Sequence, residues 1–292
     1  MHVLIAGCGW LGSAVAQRLV ERGERVTGVR SEPGRAEALR ALGVEPLALD
    51  LADPASVSRI PQDVDAIIAM QSAQGEAESN YRRAYIEANR TLLEVARRQP
   101  LRAFIYTGST GVFGQRDGSD VDERTPPAPA NLNGQVLLEA EQHILNAAKE
   151  GVPARIVRLS GLYGPGRNWV VERMQRGFMT LGPGDDVWMN SCHQDDAALT
   201  ILASLDQGRD GAVYHATDAV PMRRREVIAF LANRLGIAPS RVDARPDSSG
   251  PNRRIWGDRT RTEFGLQPRW PSLREGLVLA LPVREFSQKV QP

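Results

Sequence analysis

The chain has 292 residues, 42% of them hydrophobic and 24% charged, with a formal net charge of +1. That composition is ordinary for a soluble globular protein, and the balanced charge excludes a chain built as a whole to bind nucleic acid or a membrane surface. Two cysteines far apart, Cys8 and Cys192, exclude a disulfide scaffold and suit a reducing cytoplasm. The first apolar run is too short for a signal-peptide core, and no stretch is apolar enough over sufficient length to span a bilayer. No His/Cys/Asp/Glu cluster has metal-ligand spacing.

The first stretch organises the rest. Val3 to Ala6 is a short apolar run, followed by Gly7-Cys8-Gly9-Trp10-Leu11-Gly12. Ser13 to Arg22 has helical spacing, and Arg25 to Val29 is a second apolar run ending at Arg30. Strand, glycine turn, helix and strand make the βαβ unit of a dinucleotide site. Gly7 turns the chain out of the strand, Gly9 lets backbone approach a pyrophosphate, and Gly12 lets the helix lie close to the strand. The N–H groups of that helix then face the phosphates. With Gly7, Gly9 and Gly12, Trp10 and Leu11 are expected to hold the cofactor.

Arg30 lies about eighteen residues beyond Gly12, where NAD sites usually place a carboxylate for the ribose 2′-hydroxyl. An arginine there suits the 2′-phosphate of NADP, bound through its planar fork. Ser31 and Arg35 add donors. The expectation is NADP rather than NAD; the plain alternative is a solvated arginine at a strand end.

Further on, Glu37 to Leu42 predicts a short helix and Val44 to Leu49 a third strand, ending in Asp50-Leu51. Asp50 either reaches an adenine amino group or caps the helix starting near Pro54. Asp65 to Met70 predicts a fourth strand, Glu76 to Arg98 a long helix, and Arg102 to Thr107 a fifth strand. Thr107 to Gly114 puts small hydroxyl residues at the strand's carboxyl edge, beside the place for a nicotinamide. Asp117 to Pro129 reads as a surface loop. Leu132 to Lys149 predicts a helix, Ala154 to Leu159 a sixth strand, and Ser160 to Gly166 a glycine-rich loop. The pattern loosens after Gly166. Met174 to Gly184 suits a lid, Val187 to Cys192 a strand, and Asp195 to Leu205 and Arg223 to Leu235 helices, with a last helix over Leu273 to Leu281. The fold class is α/β, a doubly wound parallel sheet with a smaller C-terminal substrate domain. The expected division is a dinucleotide-binding domain over 1–166, with 187–217 returning to it, and a small substrate domain over most of 167–292.

These segments resemble the extended short-chain dehydrogenase/reductases, the group of NAD(P)-dependent nucleotide-sugar epimerases and dehydratases. The resemblance rests on Gly7 to Gly12, Asp50-Leu51, Tyr106 to Gly114, Arg155 to Gly166, His193 to Asp196 and Asp258 to Gly276. The tight glycine spacing points to the atypical branch. The family's active site uses a Ser or Thr, a Tyr as general acid/base and a Lys that lowers the pKa of that Tyr. Matching Val112-Phe113-Gly114 puts Ser109 on the hydroxyl position. Aligning Glu141 with the helix's usual glutamate puts Asn133 where Tyr belongs and Leu137 where Lys belongs. Gly161 stands where many nucleotide-sugar enzymes have a substrate-contacting asparagine.

The resemblance therefore implies an NADP-dependent oxidoreductase or epimerase-like enzyme acting on a hydroxylated small molecule, sugar derivatives included. Ser109 is the expected catalytic hydroxyl and Tyr163 the first substitute proton donor. Tyr163 packing in the core is the bland reading, and His193 and the arginines near Arg253 are weaker candidates. The competing function is a non-catalytic NADP(H)-binding sensor or regulator that has lost the Tyr-x-x-x-Lys pair. A homodimer is a family-level expectation.

Overall fold

The computed structural model describes residues 1–182, 186–241, 250–278 and 281. Seven parallel strands form one sheet: β1 (His2–Ala6), β2 (Arg25–Arg30), β3 (Glu45–Ala48), β4 (Ala66–Ala69), β5 (Ala103–Ser109), β6 (Ala154–Leu159) and β7 (Val213–Ala216). Their order is β7-β6-β5-β4-β1-β2-β3. Val3 of β1 is in register with Val26 on one side and Ala66 on the other. The chain thus winds outward from β1 in one direction and then restarts at β4 in the other. That reversal opens a crevice at the carboxyl ends of β1 and β4.

Both sheet faces are covered, which is why β1 from Val3 to Ala6 and all of β4 are apolar rather than alternating. Val3, Ile5 and Ile68 pack with Leu11, Val15 and Leu19 of helix α1 (Trp10–Glu21). Leu4, Ala6 and Ile67 face the other way, onto Leu92 and Val95 of α2 (Ala88–Arg98) and Val136 and Ile144 of α3 (Leu132–Lys149). Helix α4 (Gln194–Gln207) covers the α1 face through Ala198, Ile201 and Leu202.

Three local expectations change. The segment before β3 is a helix, Pro33–Glu37, running into a 3-10 turn, Ala38–Leu42. The long helix begins at Glu78, and its second part, Arg82–Glu87, is π-helical. The strand expected near Val187 does not enter the main sheet. Trp188–Met189 pairs with Met222–Arg223, and Ser191–His193 pairs with Gly161–Tyr163. The last sheet strand is β7, held beside β6 by the register Val213↔Ile156 to Ala216↔Leu159.

The C-terminal part has its own core. Helices Trp169–Gln175, Arg224–Leu235 and Leu273–Val278 surround Tyr163, Met174, Met222, Ile228, Leu231 and Leu277. The expected lid from Met174 begins as the end of the first of these helices, continues through a turn at Arg176 and Gly177, and includes a two-residue strand, Thr180–Leu181, paired with Ser240–Arg241. Pro183 and Gly184, and Leu279 and Ala280 of the helix expected to reach Leu281, lie outside the described residues.

Two buried carboxyls carry the fold's electrostatic risk. Glu141 of α3 sits beneath β6, bidentate to Arg158: Nε to Oε1 is 2.9 Å and Nη2 to Oε2 is 2.8 Å. Their side chains are 1% and 4% exposed, so neither charge has water to fall back on. The Arg158 guanidinium also lies 5.0 Å from the Phe113 ring centre. Asp218, just after β7, is 4% exposed. Burial pushes its carboxyl well above the usual range, and Asp196 and Glu275 add repulsion, against the His193 N–H and the Tyr163 hydroxyl.

Removing one member of the Glu141–Arg158 pair strands the other. Glu141→Gln should cost about 3–5 kcal/mol in urea unfolding, whereas Glu141→Leu with Arg158→Met should recover most of it. Equal loss in the single and double variants would show that the pair's charge is not what matters. Asp218 gives a pH signature. Its folded pKa is raised above the unfolded value, so the folded state holds that proton more tightly and wild-type stability falls as pH rises. Asp218→Asn should therefore melt about 2–4 °C higher at pH 8 and lose that advantage as the pH approaches 4. A difference that stays constant across the pH range would refute this.

Candidate functional site

The switch-point crevice is a cavity of about 1010 Å³. Gly7 forms its floor with φ +83°, and a Cβ there would lie 2.5 Å from Gln71 Cα, so only glycine fits. A Cβ on Gly12 would meet the Gly7 carbonyl oxygen at 2.9 Å, which is why α1 can start so close to β1. Above Gly9 the space is open: a Cβ there meets Gly7 O at 3.8 Å and Arg30 Nη2 at 3.9 Å. The N-cap of α1 is Gly9, with no side chain to cap it and no acidic residue in the first turn. The orphan N–H groups at the start of α1 therefore face open space, an arrangement that fits a pyrophosphate.

Gly7, Gly9, Trp10, Leu11, Gly12, Arg30, Ser31, Arg35, Asp50, Leu51 and Ser109 all line this one cavity. Arg30 is half-buried, and its Nε donates to Cys8 O at 2.7 Å, which lays the guanidinium along the glycine loop. Arg35 pairs with Glu32 at 2.9 Å. Asp50 pairs with Arg83, and its Oδ1 accepts the Ala52 N–H at 3.1 Å. The helix-cap alternative for Asp50 fails, because Asp53 caps the Pro54–Arg59 turn by accepting the Ala55 N–H at 2.9 Å. Arg30 and Arg167, which also lines the cavity, have no carboxylate partner among the described residues. Arg167 stacks on Trp10 at 5.3 Å, and Trp10 Nε1 donates to Pro165 O at 2.8 Å. The net positive lining suits an anionic ligand.

At the other end, Ser109 Oγ accepts the Gly111 N–H at 3.0 Å, which leaves its own O–H to donate. Leu137 lines the cavity nearby. Asn133 does not; its Nδ2 donates to Glu76 O at 3.1 Å.

Tyr163 is corrected. It is 0% exposed, belongs to the C-terminal core, and its hydroxyl donates to Ser272 O at 3.1 Å. Burial pushes its phenol far above the ordinary range, and no face of it lines the cavity. His193 is likewise structural. Its Nδ1 caps α4 by accepting the Asp195 N–H at 3.1 Å, its ring lies between Tyr163 and Trp270, and burial lowers its pKa. Arg253 is buried, with Nη2 on Thr110 O at 2.8 Å. None of the described residues of the supposed lid lines the cavity.

The cavity also takes residues that sequence reading passed over: Glu32, Gln71, Asn80, Arg83, Tyr85 and Arg167. Glu32 was within reach of the same reasoning that found Arg30, two positions away. Tyr85 was not. It stands in the π-helical turn of the helix expected over Glu76 to Arg98, where it packs against apolar clusters and also lines the cavity.

No group of three or more His, Cys, Asp or Glu among the described residues could hold a metal ion, and no described helix is long and apolar enough to cross a membrane.

Comparison with known proteins bears on the site as a whole. Residues 3–217 match the model of the NAD dependent epimerase/dehydratase family, whose members bind NAD(P). Protein YeeZ of Escherichia coli (strain K12) is 30% identical over 274 residues, covering 92% of this chain and 96% of that one. The 2-alkyl-3-oxoalkanoate reductase of Shewanella oneidensis is 24% identical over 261 residues, 82% of this chain and 67% of that one. The solved structure of DesIV, a dTDP-glucose 4,6-dehydratase of Streptomyces venezuelae with NAD and TYD bound, matches the fold with a TM-score of 0.82 at 21% identity, over 96% of this chain and 95% of that one. With the glycine cradle, the sheet order and a family match that runs through β7, the chain belongs to the NAD dependent epimerase/dehydratase family.

Proposed function

We propose that the chain is an NADP-dependent oxidoreductase interconverting a carbonyl and a hydroxyl on a small metabolite. The observation that carries this reading is one cavity lined by the glycine cradle, Arg30 and Ser109 together. When bound, the nicotinamide supplies or accepts hydride. The α1 N–H groups hold the pyrophosphate and Arg30 the 2′-phosphate. The Ser109 O–H orients the substrate oxygen and stabilises charge developing there. The reductase name of the Shewanella relative supports a carbonyl substrate over a nucleotide sugar, as does Gly161 in place of the family's asparagine.

Two features favour second readings. Glu32 lines the cavity beside Ser31, and if it released Arg35 its carboxylate could take a ribose 2′-hydroxyl, as in NAD sites. Leu137 and Asn133, in place of Lys and Tyr, favour a nucleotide-binding protein without turnover.

Calorimetric titration with NADPH and NADH separates these. NADPH should bind at least tenfold tighter, and Arg30→Asp should weaken NADPH binding about 10- to 100-fold with little effect on NADH. Tighter NADH binding, unchanged by that substitution, would assign the ribose to Glu32. Ser109→Ala should leave NADPH affinity unaltered but slow NADPH oxidation with a panel of aldehydes, ketones and 3-oxo acids about 100-fold. Tight binding with no oxidation by any of them would favour the non-catalytic reading.

A further inference from the structure

The proton donor usual in this fold is missing from α3, and Tyr163 is locked in the core. The cavity nevertheless contains a phenol from the opposite side. We propose that Tyr85 supplies the substrate's proton in place of the tyrosine absent from α3. The proposal rests on the NADP reading above.

The chain has five tyrosines, at 81, 85, 106, 163 and 214. Tyr106, Tyr163 and Tyr214 are buried, and of the five only Tyr85 lines the cavity. Its ring packs both against the cluster of Val112, Phe113 and Leu137 and against the core cluster beneath β4 and β5, and it shares the cavity wall with Ser109 and Leu137. Leu137 is the residue at the family's lysine position. The cavity thus has a leucine where the family's lysine would be and, from another helix, a tyrosine on the same lining.

The backbone is built to present this residue. Arg82–Glu87 is a single π-helical segment inside an otherwise α-helical run, and such insertions recur at functional sites. The Tyr85 carbonyl accepts a hydrogen bond at 2.7 Å from Nδ2 of Asn89. Asn89 is 0% exposed, and its Oδ1 accepts from Gln71 Nε2 at 2.7 Å. Gln71 is the residue whose backbone lies against Gly7. One buried chain of contacts thus ties the turn bearing Tyr85 to the loop that cradles the cofactor. Asn89 is a positioning residue in this arrangement.

The hydroxyl has suitable surroundings. Burial holds the phenol above its ordinary range, so at neutral pH it carries the proton that carbonyl reduction consumes. The Ala73 N–H faces the oxygen and favours the phenolate once the proton has left. In reduction the Tyr85 O–H bond breaks and a new O–H bond forms on the substrate oxygen, using the electron pair of the former C=O π bond. Hydride reaches the carbonyl carbon from the reduced nicotinamide, and the phenolate recovers a proton from water.

The test needs no substrate. An oxidised nicotinamide carries a positive charge that the reduced ring lacks, so a phenol beside it titrates lower in the NADP⁺ complex than in the NADPH complex. Phenol ionisation is followed by absorbance near 295 nm against pH, using wild type, Tyr85→Phe and Tyr81→Phe, each with either nucleotide. One phenol should titrate about one to three pH units lower with NADP⁺ in wild type and in Tyr81→Phe, and that difference should vanish in Tyr85→Phe. If both nucleotides bind and Tyr85→Phe keeps the same response as wild type, the proposal is overturned while the cofactor reading stands. If calorimetry detects no binding of either nucleotide, the cofactor reading itself fails and takes this proposal with it.

Discussion

The arrangement turns on one close approach. β1 and β4 are neighbours whose connections leave in opposite directions, and the chain leaving β1 must pass directly over the chain leaving β4. At Gly7 the two backbones leave no room for a side chain, since a Cβ would lie 2.5 Å from Gln71. The same compression aims the start of α1 into the crevice and fixes Gln71 beside it. The phosphate cradle and the wall opposite Ser109 are consequently set by one contact. A side chain at Gly7 would displace both, so cofactor binding and the geometry of the chemistry are not separable at this residue.

How much of this was legible follows from which features are local. The glycine spacing, the apolar strands and α3 with its Asn131 cap are short-range patterns, and the structure forms α3 over the expected residues, Leu132 to Lys149. β7 was missed because Tyr214 and His215 interrupt its four residues. Their polar groups reach partners outside the strand: the Tyr214 hydroxyl donates to Glu263 and accepts the Arg209 N–H, and His215 Nδ1 meets the Trp256 carbonyl. Tyr163 was misjudged for a related reason. Its loop does approach the site, but the pairing of Gly161–Tyr163 with Ser191–His193 turns the ring into the C-terminal core. Tyr85 lies on the expected helix and packs against apolar clusters, while the π turn that carries it is a departure an α-helical period does not anticipate.

Beneath the cavity the chain keeps a costly device. Glu141 and Arg158 are buried together under β5 and β6, and Gly108 makes room for them, since a Cβ there would lie 2.9 Å from Glu141 Oε1. Such a pair gives little net stability compared with apolar residues of the same shape, because desolvation offsets most of the attraction. Its value lies in orientation: two parallel hydrogen bonds fix α3 against the strand that carries the next loop. On the same helix Leu137 lines the cavity and Asn133 turns to the Glu76 carbonyl.

That arrangement bears on how a proton could still be delivered. The part of the site that must be rigid, the cradle and the carboxyl edge of β5, is fixed by backbone contacts and the buried ion pair. A proton donor needs only to reach the same space from any wall of it. The π turn at Arg82–Glu87 contributes to this wall: its Arg83 pairs with Asp50, and its Tyr85 lines the cavity while packing against the apolar clusters on either side of it.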